Sequence, residues 1–205
     1  MSDAEKEADL VARLQAGDKS AYVECVELYG GGLYRLALRL MQNEADAEDV
    51  VQEAFMNAYR AIGQFEGRAG LGTWLYRITY NAAMMRLRTP SPAMVSIDES
   101  LEPDGPVTIP SQLFDWCCLP ESDFETNEVR DFLEANIQAL PETLKTVFVL
   151  REIEGLSTDE TAQVLDISTD AVKKRLHRGR LWLRERLTAY FSDKEEYVGI
   201  GVVGG

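Results

Sequence analysis

Apolar positions recur with a helical period through two stretches of the chain and lapse between them. The first stretch runs from Asp9 to Arg88 and the second from about Asn127 to Phe191. Strand-like alternation is scarce in both, so the pattern predicts an all-α protein of two small helical domains. In the first stretch, LYRLALRLM (Leu33 to Met41) reads as an amphipathic helix ending at Asn43. Asp46, Glu48 and Asp49 then open a long helix whose apolar positions are Val50, Val51, Ala54, Phe55, Ala58, Ile62 and Phe65. After the glycine-punctuated loop EGRAGLG comes TWLYRITYNAAMMRLR, with Thr73 as the expected cap and Trp74, Leu75 and Ile78 as core. Gly30-Gly31-Gly32 predicts a helix break, because each glycine in a helix interior costs about 1 kcal/mol.

The second stretch is most informative from Leu140 to Leu187, which reads as three short helices. Ser157 and Thr158 supply an N-cap, and Asp159 and Glu160 follow at the positive end of the helix dipole. Asp166-Ile167-Ser168 ends that helix, and Thr169 with Asp170 is expected to cap the next. There, Val172, Leu176, Leu183 and Leu187 form one apolar stripe. Lys173, Lys174, Arg175, Arg178, Arg180, Arg184 and Arg186 face the other way. A tight turn followed by a cationic helix with one buried stripe is a helix-turn-helix suited to a polyanion.

Charge changes this picture. The 205 residues carry a net charge of -14, which argues against diffuse nucleic-acid affinity. The charge is segregated, however. From Val172 to Arg186 the balance is +6, whereas Ser96 to Glu134 carries eleven acids against Arg130 alone. Six of the seven prolines also fall between Thr89 and Thr126, so residues 89–126 read as an extended acidic tether. Residues 1–8 and the glycine-rich tail 192–205 are expected to lack structure. No run approaches a membrane span and no signal peptide precedes MSDAEKEADL, so a cytoplasmic protein is expected. Cys25, Cys117 and Cys118 make no disulfide framework, and His177 is the sole histidine, so neither a metal nor another cofactor is expected.

The polar side of the long helix presents Asp49, Gln52, Glu53 and Asn57. A glycine loop beside aromatics, Asn81 and Arg77 suits single-stranded nucleic acid, although Trp74, Tyr76 and Tyr80 serve equally as core aromatics. The order AEDVVQEAF, FEGRAGLGTWLYRITYN, acidic tether, LPETLKTVFVLREIEGLSTDETAQVLDISTDAVKKRLHRGR resembles the extracytoplasmic-function (ECF) sigma factors, members of the sigma-70 superfamily.

That resemblance implies a non-enzymatic promoter-specificity subunit of bacterial RNA polymerase, with region 2 at 9–88 and region 4 at 127–191. It implies that Asp49, Gln52 and Glu53 meet the clamp helices of the largest polymerase subunit, and that region 4 meets the flap of the second subunit. Phe65, Glu66, Gly67 and Arg68 match the loop that captures a flipped minus-ten base, with Trp74, Arg77 and Asn81 on the adjoining helix. Thr169, Asp170, Lys173, Lys174, Arg175 and Arg178 match the helix that reads the minus-thirty-five element, and Asp166 stands where the family turn usually has Gly, which implies a left-handed residue there. Promoter DNA and an anti-sigma factor are the other implied partners. A stand-alone helix-turn-helix regulator is the alternative class, and a protein-binding adaptor a third.

Overall fold

The computed structural model describes residues 3–88 and 127–200, with side chains through Phe191. The expected tether, including Cys117 and Cys118, and residues 201–205 lie outside the described residues. Every regular element among the described residues is helical: α1 (Asp3–Gln15), α2 (Lys19–Met41), α3 (Glu44–Ala61), α4 (Leu71–Arg88), α5 (Asn127–Gln138), α6 (Glu142–Phe148), α7 (Thr158–Leu165) and α8 (Thr169–Ile200). A 3-10 turn (Ile62–Gln64) follows α3 and a π turn (Val149–Ile153) follows α6. The chain forms two compact units, one of Met1–Thr89 with Leu140–Arg180 and one of Pro90–Ala139 with Leu181–Gly205.

In the first unit, α1 begins at Asp3, inside the segment expected to lack structure. It holds because it buries Leu10 and Leu14 and because Arg13 pairs with Asp9 (2.9 Å) and Glu24 (2.6 Å). Asp18 caps α2 by accepting from the Ser20 N–H at 2.8 Å. The predicted break at Gly30-Gly31-Gly32 does not occur, and α2 runs through all three glycines. Gly32 explains why. A Cβ there would collide with the Tyr76 hydroxyl and lie 3.0 Å from Glu154 Oε2, so the residue is selected for close approach rather than for a bend.

Left-handed Gln42 ends α2, and Asn43 caps α3 by accepting from the Asp46 N–H at 2.9 Å. The core here contains Leu33, Leu36, Val50, Ala54, Leu71 and Leu75. Trp74 and Ile78, expected as core, are half-buried and pack against that core rather than within it. Thr73, expected as the cap of α4, does not cap it; it lies inside the helix and is buried. The start of α4 is instead met by Glu7, whose carboxylate accepts from the Leu71 N–H at 2.9 Å.

Further along the same unit, α7 carries a complete capping box. Ser157 accepts from the Glu160 N–H (3.2 Å), and Glu160 accepts from the Ser157 N–H (2.8 Å). Asp166 takes the left-handed conformation (φ 55, ψ 45), as the resemblance implied. The next cap differs by one residue: Ser168, not Thr169 or Asp170, accepts from the Ala171 N–H at 3.1 Å. Val147, Ala162, Val172 and Leu176 form the core beneath this turn.

The second unit contains α5 and the rear of α8. Val129, Ile137, Leu183 and Leu187 are buried, so the whole predicted stripe of α8 is shielded from water. Phe132 and Tyr190 stack at 4.1 Å, and the Tyr190 hydroxyl donates to Glu128 at 2.8 Å. The α8 backbone continues helical to Ile200, beyond the Phe191 at which the apolar pattern stops.

Candidate functional site

The loop after the 3-10 turn and the first two turns of α4 enclose one open cavity of about 470 Å³. Phe65, Glu66, Gly67, Arg68, Trp74 and Arg77 all line it, so six of the seven residues expected at a minus-ten site share one concavity. Asn81, the seventh, is exposed one turn farther along α4. Gly67 has φ +70, which lets the chain reverse between Glu66 and Arg68, and those two side chains pair at 2.5 Å in solvent. The base of the loop is tied down from α1, where the Gln15 amide donates to the carbonyls of Ile62 (3.2 Å) and Phe65 (3.0 Å). Phe65 and Trp74 meet as tilted rings 5.0 Å apart, giving the cavity an aromatic wall. The sequence reading missed Thr73 and Gln163, which line the same cavity. Gln163 comes from α7, and no local pattern could have brought it there.

On α3, Asp49, Gln52 and Glu53 are exposed, as expected of a docking face. Asp49 is not free, however. Arg86 of α4 bridges it (2.9 Å) and Asp46 (2.6 Å), and hydrogen bonding to Asp46 is the main cause of the raised Arg86 pKa. Beside the polar residues lies an apolar strip that sequence reading did not single out. Met56 and Tyr59 are exposed, and a shallow cavity of about 540 Å³ is lined by Gln52, Phe55, Met56, Tyr59 and Arg60. Exposed Val23 and Val26 of α2 belong to the same side of the bundle, since Tyr22 and Tyr59 contact at 4.5 Å and Gly30 lies between Val26 and Phe55.

The predicted cationic face of α8 divides. Asp170, Lys173 and Lys174 are exposed, whereas Thr169, Arg175 and Arg178 are half-buried. Lys173 pairs loosely with Asp170 at 3.6 Å. Arg175 and Arg88 lower the Tyr80 hydroxyl pKa, opposing a net rise set mainly by burial, so Arg175 sits near α4. Arg180 pairs with Glu152 at 2.8 Å, and Arg186 stacks on Trp182 at 4.2 Å. Lys173, Arg180 and Arg186 therefore have partners within the fold rather than facing outward unengaged. Among the described residues, no group of three or more His, Cys, Asp or Glu is placed to hold a metal ion, and no helix is long and apolar enough to cross a membrane.

Comparison with known proteins gives these surfaces a context. The Sigma-70 region 2 family profile matches residues 25–91 and the Sigma-70 region 4 profile matches residues 133–183. The ECF RNA polymerase sigma factor SigW of Bacillus subtilis is 35% identical over 177 residues, covering 86% of this chain and 94% of SigW. The chain belongs to the ECF sigma factors of the sigma-70 family. The ECF sigma-E factor of Escherichia coli is 36% identical, covering 88% of this chain and 93% of that protein.

Two solved structures share the fold. They are CnrH in complex with the cytosolic domain of CnrY (24% identity, TM-score 0.62, covering 89% of this chain and 97% of that one), and the sigma factor RpoE with the anti-sigma factor NepR from Bartonella quintana (18% identity, TM-score 0.59, covering 82% and 96%). As a sigma factor, this protein directs RNA polymerase to promoters and is not an enzyme. The region 2 match also disposes of the stand-alone regulator, which would have no need of that domain.

Proposed function

We propose that residues 9–88 act as region 2, binding core polymerase and opening the minus-ten element, and that residues 127–191 act as region 4, anchoring on the minus-thirty-five element. Residues 89–126 join the two as an acidic tether. The carrying observation is the cavity that gathers Phe65, Glu66, Gly67, Arg68, Trp74 and Arg77. Its aromatic wall offers a stacking surface to an unstacked base, its loop offers backbone amides, and Arg77 offers a cation to the adjoining phosphate. Asn81, on the exposed side of α4, extends the same track. Asp49, Gln52 and Glu53, flanked by the apolar strip of Met56 and Tyr59, form the face for the polymerase clamp helices, where charge sets orientation and apolar burial supplies affinity.

In region 4, Thr169, Asp170, Lys173, Lys174, Arg175 and Arg178 read the upstream element from the first turns of α8. The cations supply salt-dependent affinity, and the residues nearest the N-terminus reach base edges. The flap of the second polymerase subunit and an anti-sigma factor complete the partners, and the protein works in the cytoplasm, where polymerase is. The test is run-off transcription with core polymerase on genomic promoter fragments. Core-dependent transcripts are expected, and Trp74→Ala should weaken open-complex formation by about 1–3 kcal/mol of lost stacking while core binding is retained. Tight binding of promoter duplex without core, and no core-dependent transcript, would overturn the assignment.

A further inference from the structure

The loop that walls the cavity of Phe65, Trp74 and Arg77 is held by a helix that contributes nothing to that cavity's lining. Glu7, Val11 and Gln15 fall at every fourth position of α1, so they share one face, and about 12 Å of helix rise separates the first from the last. All three line a second cavity, of about 560 Å³, whose remaining wall includes the same loop from Phe65 to Gly70. The loop thus stands between two concavities, one on the side of α4 and one on the side of α1.

Each end of the loop is tied to that face of α1. At its start, the Gln15 amide donates to the carbonyls of Ile62 (3.2 Å) and Phe65 (3.0 Å). At its finish, the Glu7 carboxylate accepts from the Leu71 N–H at 2.9 Å. The beginning of α4 also fits closely against α2: a Cβ at Gly72 would lie 3.0 Å from the ring of Tyr29, whose hydroxyl is beside Glu7. Between the ties, Glu66, Gly67 and Arg68 are exposed, and Gly67 takes φ +70. A glycine loop of this kind has many conformations of similar energy, and holding one of them costs entropy. A cavity that distinguishes bases needs its amides and aromatic edge fixed to a fraction of an ångström, which support from a rigid element outside the loop provides.

We infer that Glu7 and Gln15 are positioning residues for minus-ten recognition: α1 fixes the spacing of the loop's two ends, and so sets how sharply the cavity discriminates among the four bases. Neither side chain lines the cavity; both act through the loop backbone. The inference rests on the minus-ten assignment of Phe65, Trp74 and Arg77 above.

The test uses holoenzyme, the full chain with core polymerase, and a promoter recovered from the run-off assay. The promoter is prepared with its minus-ten strand unpaired and each of the four bases in turn at each position. The quantity read is the ratio of affinities, best base to worst, at the position where Trp74→Ala flattens the wild-type preference. Gln15→Leu keeps the bulk but removes the N–H donors, and should lower that ratio about tenfold, the scale of one misread base. Glu7→Ala should lower it from the other end of the loop, whereas Glu7→Gln, whose amide oxygen can still accept from Leu71, should restore it. Leu40→Ala opens a hole in α2 outside the cluster beneath the loop, and should weaken binding to all templates alike with the ratio unchanged. Wild-type ratios in folded Gln15→Leu and Glu7→Ala chains would overturn the inference while leaving the cavity assignment standing. A ratio that falls as far in Leu40→Ala would reduce both residues to general stabilisers and overturn it as well. If Trp74→Ala flattens no position, the cavity assignment itself fails, and the inference goes with it.

Discussion

The Glu7 carboxylate accepts a hydrogen bond from the Leu71 backbone N–H at 2.9 Å, joining α1 to the start of α4 across sixty-four positions of sequence. The first turn of a helix has N–H groups with no partner of their own, and a carboxylate there both accepts a hydrogen bond and meets the positive end of the dipole. The helix that carries Trp74 and Arg77 is therefore capped from outside its own segment.

Glu7→Ala should cost about 1 kcal/mol of global stability, in the range of a lost cap, and should raise hydrogen exchange in the first turn of α4 before anywhere else. Urea unfolding with residue-resolved exchange checks both. Unchanged exchange at Leu71 and Gly72 would mean that this carboxylate contributes nothing to the helix start.

The capping box of α7 makes a pH-dependent contribution. Hydrogen bonds with Ser157 hold the Glu160 carboxyl below its ordinary value of 4.5. A depressed folded-state pKa stabilises the folded chain above the unfolded value and ceases to do so as pH falls through the folded one. Glu160→Gln should accordingly lower the melting temperature at pH 7 and have a shrinking effect below about pH 4.5. An equal loss at pH 7 and pH 3 would show that the carboxylate charge is not what matters.

Asp166 occupies a left-handed position that glycine fills without strain. Asp166→Gly should be neutral or stabilise by up to about 1 kcal/mol, the relief of backbone strain being partly offset by the looser unfolded chain. Asp166→Val should destabilise by about 1–2 kcal/mol, since a β-branched side chain meets the carbonyl in that region. Thermal melts of the two variants should move apart, and a Val variant as stable as Gly would contradict the geometry.

Cys25 is buried in the first unit, and that burial pushes its thiol up to about 11. In a Cys117→Ser, Cys118→Ser chain, dithionitrobenzoate at pH 8 should label Cys25 only as fast as the fold opens, and at once in urea. Rapid labelling of the folded chain would place the thiol at the surface.

Most helices, and the order of the two functional stretches, were legible in the sequence because they rest on local rules. Val172, Leu176, Leu183 and Leu187 at helical spacing predict a buried stripe wherever the helix packs, and all four are buried. Ser157 and Glu160 act within one turn of themselves, so their cap could be read directly, whereas the left-handed turn at Asp166 was legible only through the family resemblance. The cavity residues Phe65 to Arg68, Trp74 and Arg77 lie close in sequence, and a loop followed by a helix has few ways to arrange them.

What failed was set by distant partners. Gly32, read as part of a helix break, instead leaves the space that Tyr76 and Glu154 occupy, and those residues lie 44 and 122 positions away. Thr73 loses its capping role to Glu7, Gln163 joins the cavity from α7, and Arg86 spends its charge on Asp46 and Asp49. Periodicity and turn chemistry report each residue's near neighbours along the chain, and these the sequence determined by itself. Burial of an ion, exclusion of a Cβ and the covering of one surface by another depend on which segments meet, and only the tertiary structure decided them.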